Sequence, residues 1–283
     1  MGSSDLSALV ARVGVNDVWY EDPHLPGRPV LLRAARPANY SATTPLLFVH
    51  HGDLRNGGAY RDYWLPLIEE AQLLVIAPEF TSSLYPGLPW YNLGNRVGED
   101  GVGRPRTEWT YGVPERVFEA LRHQGITARR RYGLFGHSSG GQFVHRMISL
   151  GFRDSVAAAA TANAGTYAMP DLDVPFPYGL GGAGIDEAAL RALLAFRLMV
   201  FAGTADIDTT SDHFPRDVAA MQQGPTRYAR AHAYTSAAHS AARRRGMSCA
   251  WRIIDVPDVG HDGAKMSAAA AGVLSAALHA SEL

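Results

Sequence analysis

A serine framed by glycines, an aspartate just beyond an apolar run and a histidine in a glycine-containing loop follow one another along this chain, and together such groups carry out nucleophilic acyl transfer. The serine lies in Gly136-His137-Ser138-Ser139-Gly140, after an apolar run over 131–135 and before an apolar-periodic helix that begins near Gly141. Glycines two residues on either side of a serine let a strand turn abruptly into a helix while the serine takes a strained backbone that exposes its hydroxyl. A side chain at Gly136 or Gly140 is expected to collide with the neighbouring strand or helix.

A serine hydroxyl is a poor nucleophile near its free pKa, so it needs a general base, and that base needs an orienting carboxylate. The run over 197–202 reads as a buried strand and leads into Gly203-Thr204-Ala205-Asp206, which makes Asp206 the expected acid. The run over 251–256 reads as another strand, and the loop after it, Pro257-Asp258-Val259-Gly260-His261-Asp262-Gly263, makes His261 the expected base. Asp208 is the reserve acid, while Asp258 and Asp262 are weaker choices, because a sequence neighbour seldom reaches the ring nitrogen turned away from the substrate. Charge developing on a substrate oxygen needs backbone N–H donors. Ser139, at the helix start, and Asp53, after Phe48-Val49-His50-His51-Gly52, are expected to supply them, with Leu54 as the alternative to Asp53. The adjacent His50 and His51 lack the i,i+4 or alternate-residue spacing that aims two rings at one ion, so no metal is expected. No organic cofactor is implied.

The His51-Gly52 turn, the elbow around Ser138, Asp206 and His261 together resemble the α/β-hydrolase superfamily over nearly the whole chain. The segments His50-His51-Gly52-Asp53-Leu54-Arg55-Asn56, Tyr60-Arg61-Asp62-Tyr63-Trp64 and Gly260-His261-Asp262-Gly263 are similar to bacterial esterases related to polyhydroxybutyrate depolymerases and feruloyl esterases. The resemblance implies an α/β-hydrolase fold: a mostly parallel, eight-stranded-type sheet with helices on both faces and loop insertions over the active site. It also implies a serine esterase. Secreted members of those groups usually carry a signal peptide and often cysteines; the chain departs from them on both counts, which speaks against an extracellular polymer as substrate.

The elements that must position these residues are legible as an alternation. Extended runs are expected at 30–34, 46–50, 73–77, 132–135, 156–161, 198–202 and 253–256, and helices at 64–72 and 114–123, the second with Val113, Val117, Phe118 and Leu121 on one stripe. Strands alternating with helices predict a mostly parallel sheet. In the helix after the elbow, Gln142, His145, Arg146 and Ser149 recur with helical spacing, so His145 is expected at the surface while Val144, Met147 and Ile148 face the sheet. Irregular insertions at 81–111 and 163–184 fall where this architecture places its active-site rim, and carry Tyr85, Trp90, Tyr91, Trp109 and Tyr111, then Tyr167, Phe176 and Tyr178. Trp90, Tyr91 and Tyr167, with Leu54 and His137, are the expected substrate contacts, and the aromatic content points to apolar or aromatic substrates.

A length of 283 residues with 47% apolar content suits one α/β-hydrolase domain spanning 1–283. A net charge of −1 with no sustained basic face argues against nucleic acid as a partner. The single cysteine, Cys249, allows no intramolecular disulfide, and neither the first 20 residues nor any later stretch has the apolar run of a signal peptide or a membrane span. A cytoplasmic monomer or homodimer acting on a small-molecule ester is the expectation, with secretion open if a signal peptide has been removed. Serine at the elbow disfavours haloalkane dehalogenases and epoxide hydrolases, which place Asp there, and dienelactone hydrolases, which place Cys there. An amidase or peptidase and an acyltransferase would use the same triad, and a non-catalytic binding protein on a hydrolase scaffold is the alternative from another class.

Overall fold

Every residue of the run Leu46–His50 is buried, as is every residue of Tyr132–His137, and these two segments lie side by side at the middle of one sheet. The computed structural model describes residues 4–281. In chain order the first half contains β1 (Gly14–Tyr20), β2 (Val30–Arg36), β3 (Leu46–His50), α1 (Gly57–Trp64), α2 (Ile68–Ala71), β4 (Leu74–Glu79), α3 (Gly87–Trp90), α4 (Val113–His123), β5 (Tyr132–His137) and α5 (Ser139–Ser149). The second half contains β6 (Val156–Ala162), α6 (Glu187–Ala195), β7 (Leu198–Gly203), α7 (Val218–Gln223), α8 (Arg227–Arg244), β8 (Arg252–Val256) and α9 (Gly263–His279).

The strand order is β1-β2-β4-β3-β5-β6-β7-β8, antiparallel at β1/β2 and β2/β4 and parallel from β4 onward. Helices cover both faces, as a parallel sheet with continuous apolar strands requires. Leu46 and Phe48 of β3 join a core with Val117 and Phe118 of α4, Val144 and Met147 of α5, and Tyr234 of α8. Leu47 and Val49 point the other way, into a core with Trp64 of α1, Ile68 of α2 and Leu274 of α9. This period-two division between two cores is the α/β-hydrolase architecture that the resemblance implies.

Three elements depart from the sequence reading. β1 lies outside the seven expected runs; it is an edge strand holding Asn16 and Asp17, so it shows no apolar run. The single helix expected at 64–72 is two helices, because Pro66 has no N–H for a helical hydrogen bond, and α1 starts earlier, at Gly57. His145 is buried rather than at the surface: its Nε2 accepts the Ala168 N–H at 3.0 Å, and the Tyr167 and Tyr234 rings pack at 5.1 and 5.4 Å. The polar side of α5 is covered by the segment over 163–184. Among the described residues no helix is long and apolar enough to cross a membrane.

Candidate active site

Parallel pairing brings the carboxyl ends of the central strands to one edge: His50 lies beside Gly136, His137 beside Ala162, and Gly203 beside Val256. Ser138 sits at the turn from β5 into α5 with φ 58° and ψ −121°, a conformation that costs a residue with a Cβ about 1–3 kcal/mol. Its N–H donates to Ala162 O at 2.9 Å, fixing the elbow to β6. The two glycines are required by contact. A Cβ on Gly136 would stand 2.1 Å from Gly140 O, and one on Gly140 would stand 2.1 Å from His50 O.

The structure brings Ser138, Asp206 and His261 into one line. Asp206 is fully buried just beyond β7, and its Oδ2 accepts the His261 Nδ1–H at 2.8 Å. With Nδ1 holding the ring proton for a carboxylate, Nε2 is left as the acceptor for the Ser138 hydroxyl at 2.9 Å. Asp208 is turned away, its Oδ1 accepting from the Thr210 N–H and hydroxyl. Asp262 N-caps α9, and Asp258 bonds through its N–H to Thr204 Oγ1.

Sequence reasoning passed over Asn163 and Arg227, which hold this line, and named His137 only as a substrate contact. Asn163, with φ 46°, accepts the Gly203 N–H at Oδ1 and donates from Nδ2 to Gly260 O, both at 2.9 Å, so one side chain joins the acid loop to the base loop. The Ala205 N–H donates to Val259 O at 3.0 Å and adds a second tie. Arg227, also buried, places Nη1 3.5 Å from Asp206 Oδ1 and neutralises the second carboxylate oxygen. Behind His261, the neutral His137 ring packs at 4.7 Å, and its Nδ1 shares a 2.8 Å hydrogen bond with the Tyr60 hydroxyl. Burial, then the neighbouring His261, hold His137 well below the ordinary histidine range.

On the other side of the serine, the turn after β3 is organised by His51. Its Nε2 accepts the Phe80 N–H at 3.0 Å, its Nδ1 lies 2.9 Å from Gly52 O, and its carbonyl accepts the Tyr91 hydroxyl at 2.7 Å. Burial depresses the His51 pKa to about 3, so the ring stays neutral. Asp53 follows directly, and Ser139 is the first residue of α5, a position whose N–H has no intrahelical acceptor. Both residues line the same cleft as Ser138.

That cleft has a volume of about 600 Å³. Ser82, Leu88, Asn92 and Leu93 come to it from the segment over 81–111, and Thr166 and Tyr178 from that over 163–184. A third wall, unanticipated, is the loop after β7 with His213, Phe214 and Pro215. A smaller cavity of about 230 Å³ adjoins it and reaches His261, His137 and the exposed Leu54. Trp90, Tyr91 and Tyr167 line neither space. Tyr91 is buried against His51, Tyr167 is stacked on Tyr234, and Trp90 carries the Arg28 guanidinium over a separate cavity. Trp90, Tyr91 and Tyr167 thus pack the insertions onto the body, and the cleft wall is mixed, with Leu88, Leu93, Tyr178 and Phe214 beside Arg55, Gln142, Arg146 and Arg227, so the lining does not single out an apolar or aromatic substrate.

The chain aligns along nearly its full length with two solved structures. It shares 40% identity with the LpqC poly(3-hydroxybutyrate) depolymerase from Bordetella parapertussis, over 93% of this chain and 90% of that one, with a TM-score of 0.88. It belongs to this family of α/β-hydrolase serine esterases. Poly(aspartic acid) hydrolase-1 from Sphingomonas sp. KT-1 is a second relative, 35% identical over 93% of this chain and 99% of that one, with a TM-score of 0.89. An S-formylglutathione hydrolase from Agrobacterium tumefaciens, at 16% identity and a TM-score of 0.56 over 98% of both chains, shares the fold. No protein-family model and no curated protein matches the sequence. The chain is thus an esterase-type hydrolase on the α/β-hydrolase fold.

Proposed function

We propose that this esterase cleaves carboxylic esters by a two-step acyl transfer in which Ser138 is the nucleophile, His261 the general base and acid, and Asp206 the group that orients and charge-balances the imidazole. The observation that carries the reading is the unbroken hydrogen-bonded line from the Ser138 hydroxyl through His261 to the buried Asp206, at the floor of the cleft. His261 Nε2 takes the hydroxyl proton as Ser138 Oγ attacks the carbonyl carbon. The resulting oxyanion faces the N–H groups of Ser139 and Asp53, and each such donor is worth about 2.7–4 kcal/mol of barrier. His261 then gives the proton to the departing alkoxide. In the second half, water loses its proton to the same nitrogen and attacks the acyl-enzyme, and His261 returns that proton to Ser138 Oγ as the acid is released.

The poly(3-hydroxybutyrate) depolymerase points to oligomeric hydroxyacid esters as substrates, whereas poly(aspartic acid) is joined by amide bonds, so its hydrolase gives a specific reason to keep amide hydrolysis as a second reading. An amide needs the same residues with earlier protonation of a poorer leaving group by His261. The test is hydrolysis of 4-nitrophenyl esters from acetyl to long acyl chains, beside a matched 4-nitroanilide series, by wild type and Ser138→Ala. Ester turnover that disappears in Ser138→Ala, with slower anilide turnover, is the expected result. Faster anilide turnover would transfer the assignment to an amidase, and full activity in Ser138→Ala would remove Ser138 from the mechanism.

A further inference from the structure

The cleft contains a positive charge that the acyl-transfer steps do not use. Ser138, Gln142 and Arg146 are spaced four residues apart at and along α5, so they share one face, and all three line the cleft. Arg146 is only 2% exposed. Its Nη1 donates to Gln142 Oε1 at 2.9 Å and to Asn92 O at 3.1 Å, its Nη2 donates to Thr166 Oγ1 at 3.2 Å, and its Nε has no partner among the described residues. Every acceptor is neutral. Among the described residues no carboxylate lies within ion-pairing distance of this guanidinium, in contrast to the buried Arg227 and Arg61, which pair with Asp206 and Asp17.

The acids that share the cleft are committed or peripheral. Asp53 turns its Oδ2 to His213 Nδ1 at 3.0 Å, while Asp217 caps α7 and accepts the Tyr178 hydroxyl at 2.7 Å. Asp212 is exposed. Arg230 has no carboxylate partner either, but Gly224, Gly165 and Pro215 carbonyls surround its guanidinium, and it does not line the cleft. Beside Arg146, the Asn92 side chain is 1% exposed, and neither its Oδ1 nor its Nδ2 has a partner among the described residues. A buried unpaired charge next to an unsatisfied amide donor is costly in the free protein, and an incoming anion balances the guanidinium and accepts from Asn92 Nδ2.

We propose that Arg146, with Asn92, Gln142 and Thr166, forms a carboxylate-binding subsite that selects substrates with a free carboxylate on the acyl side of the scissile bond. The inference rests on the acyl-transfer reading and deepens it by naming a substrate class. The acyl side follows from the two spaces that meet at Ser138: His261, which protonates the leaving group, lines the smaller cavity, whereas the larger cleft carries both oxyanion residues and Arg146. The guanidinium reaches back one turn to Gln142, which lies about 6 Å along the helix axis from Ser138, so the charge suits the far carboxylate of a short dicarboxylic half-ester.

The test compares kcat/KM for monomethyl glutarate with that for methyl glutaramate, which replaces the carboxylate by an uncharged amide of similar shape. Wild type is expected to favour the charged ester by roughly tenfold or more, since a site built for a polar group rejects the analogue that leaves it unpaired. Arg146→Gln is expected to bring the ratio towards one. A wild-type ratio at or below one, or an unchanged ratio in folded Arg146→Gln, overturns the subsite. Should Arg146→Gln fail to fold, Asn92→Leu carries the same comparison. Calorimetric titration of Ser138→Ala with glutarate and with glutaramide separates this proposal from the acyl-transfer reading: tighter glutarate binding supports the subsite even if no ester is turned over, and equal binding refutes it even if esters are.

Discussion

Replacing Gly140 by alanine sets two physical effects against each other, and the structure decides which wins. Gly140 lies in the first turn of α5, where alanine gains up to about 1 kcal/mol over glycine from helix propensity alone. A Cβ there, however, would stand 2.1 Å from His50 O, 2.6 Å from the His50 carbonyl carbon and 2.6 Å from His51 O. All three are main-chain atoms, so no rotamer change relieves the contact. Restoring ordinary contact at 3.4 Å from the 2.1 Å distance needs a displacement of about 1.3 Å between the start of α5 and the turn after β3. Overpacking of this kind costs about 1–3 kcal/mol, which exceeds the propensity gain. The same displacement separates the Ser139 and Asp53 amides, and a misplacement near 1 Å costs about 100-fold in rate, equivalent to about 2.7 kcal/mol. Gly272, exposed in α9 with nothing within 4 Å of its notional Cβ, is the matched control, and Gly272→Ala is expected to stabilise by about 0.5–1 kcal/mol. Urea unfolding midpoints and kcat on a 4-nitrophenyl ester read both effects. If Gly140→Ala matched Gly272→Ala in stability and kept wild-type kcat within a factor of about two, the close approach of α5 to β3 would not position the site as argued.

Other perturbations test separate parts of the account. Arg227→Gln removes one member of a buried ion pair and is expected to destabilise by about 3–5 kcal/mol and lower kcat, measured by denaturant titration and initial rates; wild-type stability would mean that Arg227 does not balance Asp206. Ser138→Gly relieves the φ 58° conformation and is expected to be about 1 kcal/mol more stable than Ser138→Ala, both being inactive; equal melting points would mean that the elbow stores no strain. His50, His51, His137 and His145 are all held below the ordinary histidine range, in each case chiefly by burial. The unfolded chain binds protons near pH 6.5 that the folded chain refuses, so the stability these groups contribute is full above that pH and is lost as pH falls below it, towards about 3 for His51. Each contributes a slope of about 1.4 kcal/mol per pH unit in that window, and a stability that stays flat from pH 7.5 to pH 5 would show that the rings are not buried neutral.

What the sequence made legible follows from how local each signal is. Leu46–His50 and Tyr132–His137 are short apolar runs, each followed by a glycine-containing turn, and the elbow glycines announce a close contact because no other residue fits there. The order of Ser138, Asp206 and His261, each just past a strand, required only strand positions. The polar side of α5 was misread for a physical reason: helical periodicity separates the sheet-facing residues from the rest but does not say whether the rest meets water or a loop. His145 therefore read as a surface residue, although the segment over 163–184 covers it, and Arg146, on the same polar side, lies at the cleft floor. The same ambiguity made Tyr91 and Tyr167 candidates for substrate contact, since a ring in a rim segment can face the ligand or pack inward, and both pack inward. Asn163 gave no signal because its role is to join two loops that are distant in sequence.

The most direct test of the central claim is covalent: the intact protein is treated with a fluorophosphonate ester, and the adduct is mapped by peptide mass spectrometry in wild type, Ser138→Ala and His261→Ala. One stoichiometric adduct on Ser138 is expected, none in Ser138→Ala, and labelling slowed by orders of magnitude in His261→Ala, which lacks the proposed base. Labelling of another residue, or equal labelling rates with and without His261, would contradict it.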